Sequence, residues 1–217
     1  MQESLKRAVF GNLLPLTLSL VALVGVGITS PARGTADPVR VAEVTISLPV
    51  STWTHVNAAS PNTSYWTYPR DAIRVGRVPS EPGLWRGFVQ ADIQPLHGRT
   101  IIDATLQIVL DHSASCNPTP VELWQVGVTV TPSVTWNTQG PWLSPISQAY
   151  AAANQSCGQP DSYISFVGTG VTSTVAQAAA MQHPTVTMGL RAQDESTWTQ
   201  WKKFRPTNIW LVVRYAE

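Results

Sequence analysis

The chain has 217 residues, 14 basic against 13 acidic side chains, only 12% charged residues, and 43% hydrophobic ones. Near-neutrality without a basic stripe removes the electrostatic case for nucleic-acid binding. Seventeen prolines and fourteen glycines spread along the chain suit many short strands joined by turns.

At the N-terminus, Lys6 and Arg7 precede an apolar run of 16 positions from Leu13 to Ile28, followed by the small-residue stretches Ser30-Pro31-Ala32 and Gly34-Thr35-Ala36. A charged start, a short apolar middle and a small-residue end read as a secretory signal peptide over residues 1–36. A membrane anchor is the competing reading, because about 17–25 apolar residues span a bilayer. Pro15, Gly25 and Gly27 inside the run favour cleavage. No later segment is apolar and long enough to cross a membrane, so no membrane association is expected after cleavage. Removal of 1–36 takes away Lys6, Arg7, Arg33 and Glu3, which leaves 11 basic against 12 acidic residues. Residues 37–51, with Pro38 and Pro49, are expected to form a tether or a first strand, and 52–217 a single module.

Both cysteines, Cys116 and Cys157, follow that segment. In an exported chain an even pair reads as one disulfide. No metal set is expected: His112 lies near Cys116, but no further Cys or His completes four ligands. Structural calcium at Asp194-Glu195 is the one cofactor considered, and calcium wants 6–8 oxygens that no spaced acidic loop supplies.

Period-two alternation marks the strands. Ile102, Ala104, Leu106, Ile108 and Leu110 share one face, while Asp103, Thr105 and Gln107 take the other. Trp85, Val89, Ala91 and Ile93 oppose Arg86, Gln90 and Asp92 in the same way. Further runs are Ala72–Val78, Val121–Val126, Tyr163–Val167, Thr185–Arg191 and Ile209–Tyr215, and the Ala-rich Val171–Met181 is the one helix-like piece. About eight strands and one short helix predict an all-β fold, an antiparallel β-sandwich of jelly-roll type.

Several segments together carry a resemblance. Thr54-His55-Val56, Pro61-Asn62-Thr63-Ser64-Tyr65-Trp66 and Ile73-Arg74-Val75-Gly76 look like the opening of DNRLRE-type extracellular modules. Trp85 to Asp92 and Ile101 to Leu106 are similar to their next two strands. Val121-Glu122-Leu123-Trp124, Thr135-Trp136-Asn137, Leu190-Arg191-Ala192 and Trp201-Lys202-Lys203-Phe204, with both cysteines, resemble the actinobacterial secreted subgroup often found beside laminin-G-like domains. The resemblance runs over about residues 52–217 and implies a β-sandwich, secretion and polysaccharide binding. Trp66 stands where the family usually has Gly, and Gly87 and Ala91 replace larger residues.

Candidate ligand contacts follow from side-chain chemistry. Flat aromatics that remain exposed can stack on the C–H face of a sugar ring. Trp85, Trp124 and Trp210 lie mid-strand and are expected to pack on a sheet or in the core, and Trp201 is expected to be structural, with its neighbouring lysines facing water. Tyr65, Trp66, Trp142 and Trp198 are read as loop residues and are the carbohydrate-binding candidates. Lys202, Lys203 and Arg205 form the one basic cluster, read either as a solvated strand end or as a site for a uronate polymer.

No catalytic residue is assigned. Glycoside hydrolysis needs two carboxyl groups about 5–10 Å apart in a cleft, and Glu81, Asp92, Glu122, Asp161, Asp194 and Glu195 show no such arrangement in sequence. His55, His97, His112 and His183 are scattered, and no nucleophile, zinc or phosphate-loop motif occurs. The sequons at Asn62 and Asn154 suit surface loops. The expectation is a secreted, extracellular or cell-surface module that is not an enzyme and whose partner is a polysaccharide or cell-wall glycan. A self-associating structural or adhesive protein is the alternative, and a polysaccharide lyase stands behind both.

Overall fold

A computed structural model describes residues 42–50, 52–67, 71–78 and 83–217. The signal-peptide reading and Glu81 lie outside the described residues. Eleven strands and one α-helix are present among those described. In chain order they are β1 (Glu43–Pro49), β2 (Thr52–Asn57), β3 (Ile73–Arg77), β4 (Leu84–Asp92), β5 (Thr100–Ser113), β6 (Thr119–Val126), β7 (Trp142–Ala151), β8 (Ser162–Phe166), α1 (Thr169–Ala180), β9 (Thr185–Ala192), β10 (Lys202–Phe204) and β11 (Trp210–Ala216).

All pairings are antiparallel. One sheet runs β1-β11-β5-β8 and the other β4-β9-β6-β7. Apart from the β6–β7 pair, which stays in one sheet, successive strands of this eight-strand frame pass between the two sheets in the order of a jelly roll. β2 adds to the free side of β4. β3 switches sheets: Ile73–Val75 pair with β10, and Gly76 and Arg77 pair with β4. β10 in turn pairs with the far end of β5, so β3 and β10 close one side of the sandwich.

The alternation read from the sequence decides what fills the interior. Ala104, Leu106, Ile108 and Leu110 of β5 are fully buried, as are Leu211 and Val213 from the adjacent β11 and Val89, Ala91, Leu123, Met188 and Leu190 from the facing sheet. In β1, Val44, Ile46 and Leu48 turn toward this core while Glu43, Thr45, Ser47 and Pro49 stay exposed. The helix begins two residues earlier than expected and lays Val171, Val175 and Ala179 on the same core.

A second apolar cluster was not anticipated. Val56, Phe88 and Val126 pack with Val130 and Val134, with Trp66, Trp124, Trp136 and Trp142 around them. Phe88 alternates with Val89, so this cluster lies on the outer face of the β4-β9-β6-β7 sheet, beneath residues 127–141. Strand β7 was also missed in the sequence. Pro141 and Pro145 interrupt its pattern, and a proline is tolerated there because β7 is an edge strand with register shifts opposite Leu123–Trp124 and Gln125–Val126.

Candidate functional site

The tertiary structure uses up most of the residues nominated as ligand contacts. Tyr65 does lie in a loop, but it is half-buried, its ring 5.0 Å from that of Trp85 and 5.3 Å from that of His55. Trp85 is 3% exposed, and the Arg74 guanidinium lies 5.3 Å from its ring centroid. Trp66 packs against the outer-face cluster.

Trp142 is not a loop residue: it opens β7 and is half-buried. Its Nε1 donates to Gln139 Oε1 at 2.9 Å, and its ring meets those of Phe88 and Trp124. Gly189 supplies the space, since a Cβ there would come within 2.5 Å of the Trp142 ring. Around this ring a ladder of cations and indoles forms. Arg86 lies 4.7 Å from the Trp136 ring and 5.0 Å from that of Trp142, and Arg191 lies 4.5 Å from that of Trp124. Glu195 takes both prongs of Arg86, and Glu122 accepts from Trp124 Nε1 at 2.8 Å. Arg191 Nε makes no hydrogen bond but lies 3.8 Å from Glu195 and 4.0 Å from Glu122, so charge and ring contacts together make the ladder a device for holding residues 127–141 and the β9–β10 loop on the sheet.

The expected basic cluster does not exist as a surface patch. Lys202 is fully buried, because the β10 alternation turns Lys202 and Phe204 inward and only Lys203 outward. Lys202 Nζ donates to Thr119 Oγ1, and burial pushes its pKa down to about 8 from 10.5. Lys203 lies 5.4 Å from the Trp201 ring centroid. Arg205 is held charged by Asp111 and Asp161, which it grips together. Asp194 caps its own turn through Ser196, and those bonds hold its carboxyl below the usual range. Of the four aromatic candidates only Trp198, at 52%, is exposed; Trp210, expected to pack, is 37% exposed. Asn154 is buried at 7% and its amide is engaged with Ser113, so that sequon does not sit in an open loop.

The most exposed aromatic rings among the described residues are two tyrosines that the sequence reading passed over. Tyr150 near the end of β7 is 65% exposed and Tyr163 near the start of β8 is 77% exposed. Residues 152–161 arch between these two strands from one sheet to the other. An open cleft of 480 Å³ lies between the strands, bordered by both tyrosines and by Gln148, Ser162, Ser165 and Pro118. Its far end is closed where Ser147 Oγ donates to Val167 O at 2.8 Å. Its near end is pinned: the Cys116–Cys157 disulfide joins the arch to the β5–β6 loop, and Gln159 Nε2 donates to Cys116 O at 2.6 Å. Ser113 and Ala153 exchange further bonds beneath it. Period two could have found Tyr163, which alternates with buried Ile164 and Phe166. A second cleft of 320 Å³ runs between α1 and the β6 and β9 strands, and the imidazole of His183 is the one ring among its lining residues.

No family model matches the chain, and no curated protein does. Among solved structures, two cleaved adhesin domains of Lys-gingipain from Porphyromonas gingivalis align with it. One is 6% identical over 79% of this chain and 99% of its own, with a TM-score of 0.39. The other is 7% identical over 80% and 98%, with a TM-score of 0.33. The strand order described above, and not that loose likeness, identifies the jelly roll.

Proposed function

We propose that this chain is a secreted or cell-surface, non-catalytic module that binds polysaccharide, and that the arch cleft between β7 and β8 is its site. The observation that carries the reading is the pair of exposed rings, Tyr150 and Tyr163, flanking an open cleft of 480 Å³. A tyrosine presents an apolar face for the C–H side of a pyranose and a hydroxyl for its rim. The cleft volume lies within the range of about 300–1,000 Å³ common for ligand sites. Gln148, Ser162 and Ser165 supply an amide and two hydroxyls that can each donate and accept. Among the described residues, no carboxylate, imidazole or thiol borders the cleft to move a proton or attack a bond. The disulfide supports an oxidising compartment.

The test is retention of the protein on immobilised polysaccharides, with Tyr150→Ala and Tyr163→Ala as variants and Trp142→Ala as a control for packing. Retention lost in the tyrosine variants, with their thermal midpoints unchanged, supports the cleft. Self-association is the other reading, since among the described residues β7 and β8 each leave one edge unpaired beside exposed Leu143 and Val167. Light scattering separates the two: no retention together with a multimeric mass would replace the glycan-binding proposal.

A further inference from the structure

We infer that the cleft takes a neutral polysaccharide and discriminates against uronate-rich chains. The inference rests on reading the cleft as a glycan site, and it reverses the uronate expectation attached to the basic cluster. None of the described residues bordering the cleft is charged. Recognition of a carboxylated sugar is usually built on a charge-assisted bond from Arg or Lys, and two cations do come close along the chain. Both are spent. Lys202 is buried with its amine on Thr119, next to the rim residue Pro118. Arg205 is shared between Asp111 and Asp161, and Asp161 directly precedes the rim residue Ser162.

Outside the lining, Asp111 and Asp161 hold the guanidinium of Arg205 between them, and Lys202 keeps its charge buried on Thr119. A chain carrying a negative charge on each sugar would find no free cation among the described residues there and would have to desolvate its carboxylates without a salt bridge. A neutral chain would meet two flat rings, one amide and two hydroxyls, which is what ring faces and sugar hydroxyls call for.

The experiment is affinity electrophoresis of the whole chain through gels containing one polysaccharide each. The neutral probes are mixed-linkage β-glucan, xylan and mannan; the acidic ones are polygalacturonate and alginate. Each is run at low and at high salt. A neutral probe retained at least about tenfold more tightly than either acidic probe, insensitive to salt and lost in Tyr163→Ala, is the expected result. Ser165→Lys, on an exposed strand position, should create salt-sensitive retention by the acidic probes. Salt-sensitive preference for an acidic probe in the unaltered chain would overturn the inference; if Tyr163→Ala abolished that retention, the cleft itself would stand. Retention by no probe, neutral or acidic, would overturn the cleft reading and this inference with it.

Discussion

Arg86 on β4 and Glu195 in the β9–β10 loop, 109 residues apart, meet in a two-pronged ion pair. Nε reaches Oε1 at 2.8 Å and Nη2 reaches Oε2 at 2.7 Å, under the rings of Trp136 and Trp142. Their side chains are 17% and 16% exposed. Truncating one partner strands the other charge in a largely dry setting. Arg86→Ala and Glu195→Ala should each lower stability by about 2–4 kcal/mol, somewhat under the cost of breaking a fully buried pair. Urea unfolding measures this, and a loss under about 0.5 kcal/mol would show that the pair is solvated.

Trp142 and Gly189 are predicted to be structural partners. Trp142→Ala should reduce stability by about 2–4 kcal/mol, toward the low side for an aromatic truncation because the ring is half-buried. Gly189→Ala should cost about 1–3 kcal/mol by overpacking against that ring. Glycan retention by the folded fraction should be unchanged in both. A Trp142→Ala protein of full stability that no longer bound would return Trp142 to the binding surface.

Lys202 gives the molecule a pH dependence of known sign. Its folded pKa of about 8 lies below the ordinary 10.5, so the unfolded chain holds the proton more tightly. Stability should rise as pH climbs from about 8 to 10.5, and the penalty of the buried charge should be constant below that window. Lys202→Met should remove the penalty, raise stability near neutrality by about 1–3 kcal/mol, and flatten the curve in that window. A variant less stable than the parent at every pH would mean that the amine makes bonds worth more than its desolvation.

The disulfide closes a separation of 41 residues. In the chain-entropy model it contributes about 3–4 kcal/mol. Reduction, or Cys116→Ser together with Cys157→Ser, should lower the thermal midpoint markedly. An unchanged midpoint under reducing conditions would show that the Ser113, Ala153 and Asn154 bonds alone hold the arch.

The frame of the fold was legible because period two is local. Ala104, Leu106, Ile108 and Leu110 announce their shared face wherever the strand ends up, and Trp85 was placed inward on the same logic. β7 was not legible, because two prolines mask the alternation of an edge strand that tolerates them. Tyr150, which lies on it, was lost for the same reason.

The sequence by itself determined an all-β chain, the face membership of β4 and β5, a single cysteine pair, and a charge balance without a nucleic-acid footprint. Only the tertiary structure decided which faces see water. Residues 127–141 fold over the outer sheet face, bring Trp136 onto it and half-cover Trp142; the β3–β10 crossover turns Lys202 into the interior; and the arch between β7 and β8 leaves Tyr150 and Tyr163 outside. Alternation is set by backbone geometry within a few residues, whereas exposure is set by what lies across a strand's face, and here that covering comes from segments distant in the chain.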